Sequence, residues 1–170
     1  MGTRAIIVFS NTDNAEFDEG VPIYQHYDGY PSNVLHTLRQ YLDVNNARID
    51  DTPYLASGFL RYVENYKYLP HIPDRFQNLP DDDYENKDPY TGFGIIPQKL
   101  DEELFEDGWM DYFYMVTPKR VFMFNSSIDK EKNLKKMYEV DIETLLEMPD
   151  ENQHFEELER KILPNYYDEF

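Results

Sequence analysis

Residues 111–125 read DYFYMVTPKRVFMFN. Two runs of aromatic and β-branched residues, DYFYMVT and RVFMFN, flank Pro118-Lys119. Proline presets φ for the first corner of a turn, and aromatic and β-branched side chains suit a pleated surface, so the stretch predicts a β-hairpin. The sheet is expected to continue through MYEVDI at 137–142. SIDKEKNLKK lies between and carries the basic cluster Lys130, Lys132, Lys135 and Lys136, read as a solvated turn.

Working back, RAIIVFS at 4–10 predicts a strand, and VPIYQHY at 21–27 a second one antiparallel to it across the turn-rich NTDNAEFDEG. Pro22 places that second strand's start at an edge or at the first strand position. Val34, Leu35, Leu38, Tyr41 and Leu42 recur at helical spacing, predicting an amphipathic helix over 33–43, with Ser32 or Asn33 able to cap it. A second helix is expected over 52–68, with Leu55, Phe59, Val63 and Tyr66 on its apolar face and Pro53 in its first turn. Residues 70–100 break pattern with five prolines and two glycines, and read as a long irregular insertion packed down by Phe76, Tyr84, Tyr90 and Phe93. The chain then ends in one or two short acidic helices.

This order predicts a single α+β domain over 1–170, with a mainly antiparallel sheet of about five strands and helices packed on it. An acidic, Pro-rich excursion occupies 70–107 and an acidic helical tail 143–170. Apolar residues make up 41% and aromatics 16%, with 15 Tyr and 11 Phe, so the core is expected to be rich in rings rather than in Leu and Val alone.

The chain has 34 Asp plus Glu against 16 Lys plus Arg, a net charge of −18. Such a field repels nucleic acid and anionic lipid and attracts basic surfaces, including those that ordinarily hold nucleic acid. The plainer reading is solubility. From 81 to 107 ten acids face only Lys87 and Lys99; from 139 to 170 eleven face Arg160 and Lys161. There is no cysteine, which excludes a disulfide framework, a thiolate metal site and a Cys nucleophile and agrees with a cytoplasmic protein. The N-terminal apolar run is too short for a signal peptide or a membrane span. Met1-Gly2 lacks the Ser or Thr that myristoylation wants, because position 6 is Ile.

His26-Tyr27-Asp28-Gly29-Tyr30-Pro31 crowds titratable groups into one turn before a helix. Read structurally, Gly29 supplies a positive φ, Asp28 bonds the N–H groups after it, Pro31 fixes the helix approach, and Arg4 pairs with Asp28. Read chemically, His26 and Asp28 share one face if the strand persists, as a general base with its orienting carboxylate or as two metal ligands, with Arg4 or Tyr30 assisting. One His and one carboxylate fall short of the three protein ligands of a catalytic zinc. His36 adds no HxxxH or HExxH spacing, His71 reads as a loop residue, and His154 as solvent-facing. Gly92-Phe93-Gly94 lacks the strand-to-helix context of a phosphate loop, and DDDYENKD lacks the glycine of an EF-hand. No cofactor and no metal are expected.

MGTR, a strand, then HYDGYPS leading into a helix resembles a family of small uncharacterised proteins of bacteriophages and bacteria that start MGTR and carry a Tyr/His/Trp-D-G-Y-P turn before a helix. The likeness covers residues 1–42, is looser over DYFYMVTPKRVFMF, and is absent elsewhere. It implies a phage setting and no activity. Charge and resemblance together suggest an acidic interaction protein that inhibits a host defence complex, of the anti-CRISPR or anti-restriction kind, by occupying its basic nucleic-acid-binding surface as a mimic. Its partner would be a protein; direct nucleic-acid or membrane binding is not expected, and the setting would be the host cytosol. The acids expected to act are Asp81, Asp82, Asp83, Glu85, Asp88, Asp101, Glu102, Glu103, Glu106, Asp107, Glu156 and Glu157. The alternatives are a small enzyme or metal-binding protein built on His26 and Asp28, and a phage structural or regulatory protein that mimics nothing.

Overall fold

The computed structural model describes residues 2–13, 20–64, 92–96, 110–128 and 134–165. The strands are β1 (Ala5–Ser10), β2 (Gly20–Gln25), β3 (Phe93–Ile95), β4 (Tyr112–Val116), β5 (Arg120–Ile128) and β6 (Leu134–Asp141). The helices are α1 (Pro31–Asn45), α2 (Thr52–Glu64), α3 (Ile142–Glu147) and α4 (Asn152–Ile162), with a 3-10 turn at Asn46–Arg48. One mixed sheet runs β3-β2-β1-β4-β5-β6. All neighbours are antiparallel except the central pair β1 and β4, where Ala5 faces Tyr112 and Phe9 faces Val116 in parallel. The fold is α+β, as expected, with six strands rather than five.

The sixth strand, β3, lies inside the stretch expected to be irregular. Three residues flanked by glycine are too few for a period to show, yet Phe93, Gly94 and Ile95 pair with Gln25, Tyr24 and Ile23. β6 starts at Leu134, earlier than expected. Lys135 and Lys136 therefore sit on a strand rather than in a turn, where Lys136 lies over the Phe122 ring and bonds Glu139 at 2.8 Å. Lys130 and Lys132, His71, the tail of the second helix beyond Glu64 and most of the 70–107 excursion lie outside the described residues.

Both faces of the central strands are buried. Ala5, Ile7 and Phe9 join Tyr114, Val116, Val121 and Met123 under the helices; Ile6 and Val8 join Phe113, Met115, Phe122 and Phe124 on the other side. Two-sided burial is why β1 and β4 read as continuous apolar runs instead of alternating ones. α1 contributes Val34, Leu35, Leu38, Tyr41 and Leu42 to the helix-side core, and α2 contributes Leu55, Ala56, Phe59 and Val63. Rings link these layers: Phe59 contacts both Phe9, at 5.3 Å between centroids, and Tyr41, at 5.5 Å.

The α1–α2 contact turns on Gly58. The Tyr41 hydroxyl donates to the Leu55 carbonyl in α2 at 2.5 Å, and a Cβ on Gly58 would stand 2.5 Å from that hydroxyl. Burial pushes the Tyr41 phenol up to about 12 against the opposing charge of Arg61. The glycine thus gives up helix propensity, about 1 kcal/mol, to let a buried polar tip reach its acceptor. Gly58→Ala is expected to cost about 1–3 kcal/mol in urea unfolding in spite of alanine's better propensity, because overpacking outweighs it. In a Tyr41→Phe background, where the obstructing oxygen is gone, the same substitution should be neutral or stabilising.

Candidate functional site

β2 stops at Gln25, two residues short of expectation. The Gln25 amide is buried and donates to the carbonyls of Tyr27 at 2.7 Å and Asp28 at 3.1 Å, which turns the chain out of the ladder. Asp28, not Gly29, takes the positive φ, +56°. Aspartate tolerates this region better than most residues. Gly29 is required for a different reason: an added Cβ would lie 2.7 Å from the Ala5 Cβ, 2.9 Å from the Ala5 nitrogen and 2.9 Å from the Arg4 carbonyl carbon. The turn lies directly on the start of β1.

Four groups hold it there. The Gly29 N–H donates to the Thr3 carbonyl at 2.9 Å, and the buried Tyr114 hydroxyl of β4 donates to the Gly29 carbonyl at 2.8 Å. The Asn33 side chain donates back to the Asp28 carbonyl at 2.8 Å. Tyr27 is gripped from two sides, since a Cβ on Gly2 or Gly92 would approach its ring to 2.6 or 3.1 Å.

Neither Ser32 nor Asn33 caps α1. Tyr30 is the N-cap without a side-chain bond, Pro31 occupies the first turn, and Glu159 of α4 accepts from the Ser32 N–H at 2.7 Å. A buried carboxylate at a helix N-terminus meets unpaired N–H groups and the positive end of the helix dipole, which offset its desolvation. Farther along α1, the buried His36 Nε2 bonds Asp150 at 2.6 Å while its ring stacks on Phe155, 4.6 Å between centroids. Gln40 donates to the same Asp150 oxygen, and Arg39 donates to the carbonyls of Leu146 and Met148 at the end of α3. α3 and α4 thus form a strap over α1. His154, expected to face solvent, is half-buried edge-on to Phe155 with its Nε2 enclosed, because this face of α4 packs inward.

His26 and Asp28 do not share a strand face, since the strand ends before both. The His26 Nδ1 pairs with the Tyr24 hydroxyl at 2.5 Å, its ring meets Tyr27 edge-on, and its backbone N–H donates to the Gly92 carbonyl. Burial raises the Tyr24 phenol, opposed by the Arg4 charge. The Arg4 backbone is tied to Asp111, donating to its carboxylate at 2.8 Å. Among the described residues no group of three His, Asp or Glu side chains could hold a metal ion, and no helix is long and apolar enough to cross a membrane.

The structure does join two sets of residues that lie far apart in sequence. Tyr30 stays 37% exposed, and its phenol is raised by burial first, then by the carboxylates of Asp28, Glu159 and Glu156. The DGYP turn and the acidic tail therefore make one surface. Glu156 and Glu157 are both exposed, and Glu157 accepts from Gln153 at 3.1 Å. The other ten acids expected to act, Asp81, Asp82, Asp83, Glu85, Asp88, Asp101, Glu102, Glu103, Glu106 and Asp107, lie outside the described residues. Sequence reasoning missed Gln25, Tyr114, Glu159 and Asp150. Only Glu159 left a signal: within HFEELERKIL it keeps helical step with Phe155 and Ile162, an acid on an apolar stripe.

Two outcomes follow from this geometry. Gly29→Ala should lose about 3 kcal/mol or more in thermal or urea unfolding, because the obstructing atoms belong to the β1 backbone. Gly94→Ala, with nothing within 4 Å of the new Cβ, should stay within about 0.5 kcal/mol. For Asp150, burial would raise the carboxyl, but hydrogen bonds from His36 and Gln40 and the charges of His36 and Arg39 outweigh it and hold it below its ordinary value. Its folded pKa is depressed, so its contribution is present above the unfolded carboxylate pKa and is lost as pH falls through the folded one. Asp150→Asn should lower stability at neutral pH and flatten the acid limb of a stability–pH curve below about pH 4.

No protein-family model, no curated protein and no solved structure matches this chain.

Proposed function

We propose that this chain is an acidic interaction protein that occupies the basic, nucleic-acid-binding surface of another protein and mimics the charge of the nucleic acid it displaces. In the phage setting its partner is a host defence complex, of the CRISPR or restriction kind, working in the host cytosol. One observation carries the reading. Glu143, Glu147, Glu151, Glu156 and Glu157 are exposed on or beside α3 and α4, and no ion pair joins them to a cation among the described residues. Other described acids are paired: Arg120 meets Asp13, Glu139 and Asp141, Arg39 meets Asp43, and Arg48 meets Asp51. Carboxylates left unneutralised on a strap pinned to α1 present a fixed array, and a fixed array costs less ordering entropy on binding than a floppy acidic tail. Duplex DNA offers about one charge per 1.7 Å of axis, and a groove that fits it is lined with Lys and Arg. Tyr30 beside Glu156 adds an amphipathic ring of the kind that anchors interfaces. A competitive occupant of such a groove needs no catalytic group.

The test is affinity capture from a host extract on the tagged full chain, at low salt and then at raised salt. The expected result is a nucleic-acid-binding defence complex that salt and competing DNA or RNA release. Reversing Glu143, Glu147, Glu151, Glu156 and Glu157 to Lys should abolish capture while thermal unfolding stays cooperative. Capture that ignores salt, competitor and charge reversal alike would end the mimicry reading.

A further inference from the structure

We infer that residues 142–163 form a strap that leaves α1 as one cooperative unit while the six-stranded sheet stays paired. The strap packs mainly on α1 and on the end of β6, and no strand of the ladder depends on it. Among the described residues its one backbone hydrogen bond to the hairpin is that of the Ile142 N–H on the Lys119 carbonyl at 2.9 Å. α3 has six residues and α4 has eleven, both below the length at which a helix holds alone in water, about 12–15 residues.

Neither strap helix has a side-chain cap of its own at its N-terminus. What completes the helix ends is reciprocal. Arg39 of α1 satisfies the carbonyls of Leu146 and Met148, and Glu159 of α4 satisfies the Ser32 N–H of α1. Asp150, in the link between α3 and α4, is held by His36 and Gln40, and Tyr62 of α2 also faces its charge. Taking α4 off α1 therefore strips a cap from α1, and taking α3 off leaves Arg39 with Asp43 alone and the carbonyls of Leu146 and Met148 without their donor. Neither helix can leave and remain helical, so they leave together and unfold as they go. Leu145, Phe155, Ile162 and Leu163 are buried in the closed state, which keeps the open state rare. Opening separates Glu156 from Tyr30 and Asp28 and uncovers the His36 face of α1. The inference holds whatever the acidic surface binds.

Native-state amide hydrogen exchange on the full chain tests it, read peptide by peptide across a series of low denaturant concentrations. The amides of 143–147 and 153–162 should exchange through one shared opening, cheaper and less denaturant-dependent than that of β1 and β4. Glu159→Gln should speed the strap amides and the first turn of α1 by about tenfold, the loss expected for a charge-assisted bond at a helix start, and should speed β1 and β4 by no more than that, so that the strap keeps its separate, cheaper opening. Asp150→Asn should act on the same amides, so a folding failure of one variant leaves the other to report. Strap amides that share the opening of β1 and β4 in the wild-type protein, or variants that speed β1 and β4 while leaving the strap amides unchanged, would overturn the inference.

Discussion

The main chain of Gly29 lies on the main chain of β1, and most of the helical layer is placed by that contact. Nothing larger than hydrogen fits between them. Once the turn is seated, Pro31 and the Tyr30 carbonyl launch α1 in one direction across the sheet, and Val34, Leu35, Leu38 and Leu42 come down on the apolar face of β1 and β4. α2 then packs on α1 through Tyr41 and Gly58, and the strap closes over α1 from the other side. A close backbone approach is a steric condition rather than an attraction, so the stabilisation comes from the layers it allows to meet. Its role is to fix the angle of approach, which burial alone leaves loose.

The polar groups around the turn work by the same logic of completion. A reversal with one positive φ leaves carbonyls facing inward, and each has a donor: Gln25 for Tyr27 and Asp28, Asn33 for Asp28, Tyr114 for Gly29. Tyr114 is fully buried, and burial followed by the influence of Tyr112 and Glu159 holds its phenol well above the ordinary range. It therefore stays neutral and donating at any physiological pH. Gln25 and Tyr114 sit where a purely apolar core would leave two carbonyls unsatisfied, at a cost comparable to that of any buried unpaired group. The side chains that complete the main chain of this turn, Gln25, Asn33 and Tyr114, come from outside the cluster of titratable residues that looks reactive in sequence.

Much of the architecture was legible because it rests on local pattern. The hairpin at 111–125, the first two strands and both long helices follow from turn residues and periodicity, and the α+β class follows from their order. What was hidden rests on contacts across long sequence distances. Gly29 looks like a glycine needed for its φ; only the neighbouring strand shows that its missing side chain is what counts. Ser32 and Asn33 have the right chemistry for a cap, yet the carboxylate that takes the Ser32 N–H comes from residue 159. The parallel pairing of β1 and β4 leaves no local mark beyond the unbroken apolar runs, which a one-sided strand would have alternated with polar residues. β3 was invisible because three residues carry no period. At the surface, the acids of the tail were visible as charge, but their meeting with Tyr30 and Asp28 was not.

Among the described residues the carboxylates divide into those that join elements of the fold and those left to solvent. Glu159 and Asp150 are structural: each accepts from α1, and the buried Glu159 would be costly to leave unpaired. Asp13, Glu139 and Asp141 gather around Arg120, where one guanidinium joins the loop after β1 to the β5–β6 edge. Those cations are consumed at joints, where opposite charges hold elements in register. On the strap Glu143, Glu147, Glu151, Glu156 and Glu157 face water, which spares each the cost of burying a charge. Burying Glu159 under α1 and exposing Glu156 and Glu157 are thus two consequences of one helix orientation: the turn of α4 that caps α1 also sets these two carboxylates outward, Glu156 near Tyr30. The anchor of the strap and the charge it presents cannot be changed independently.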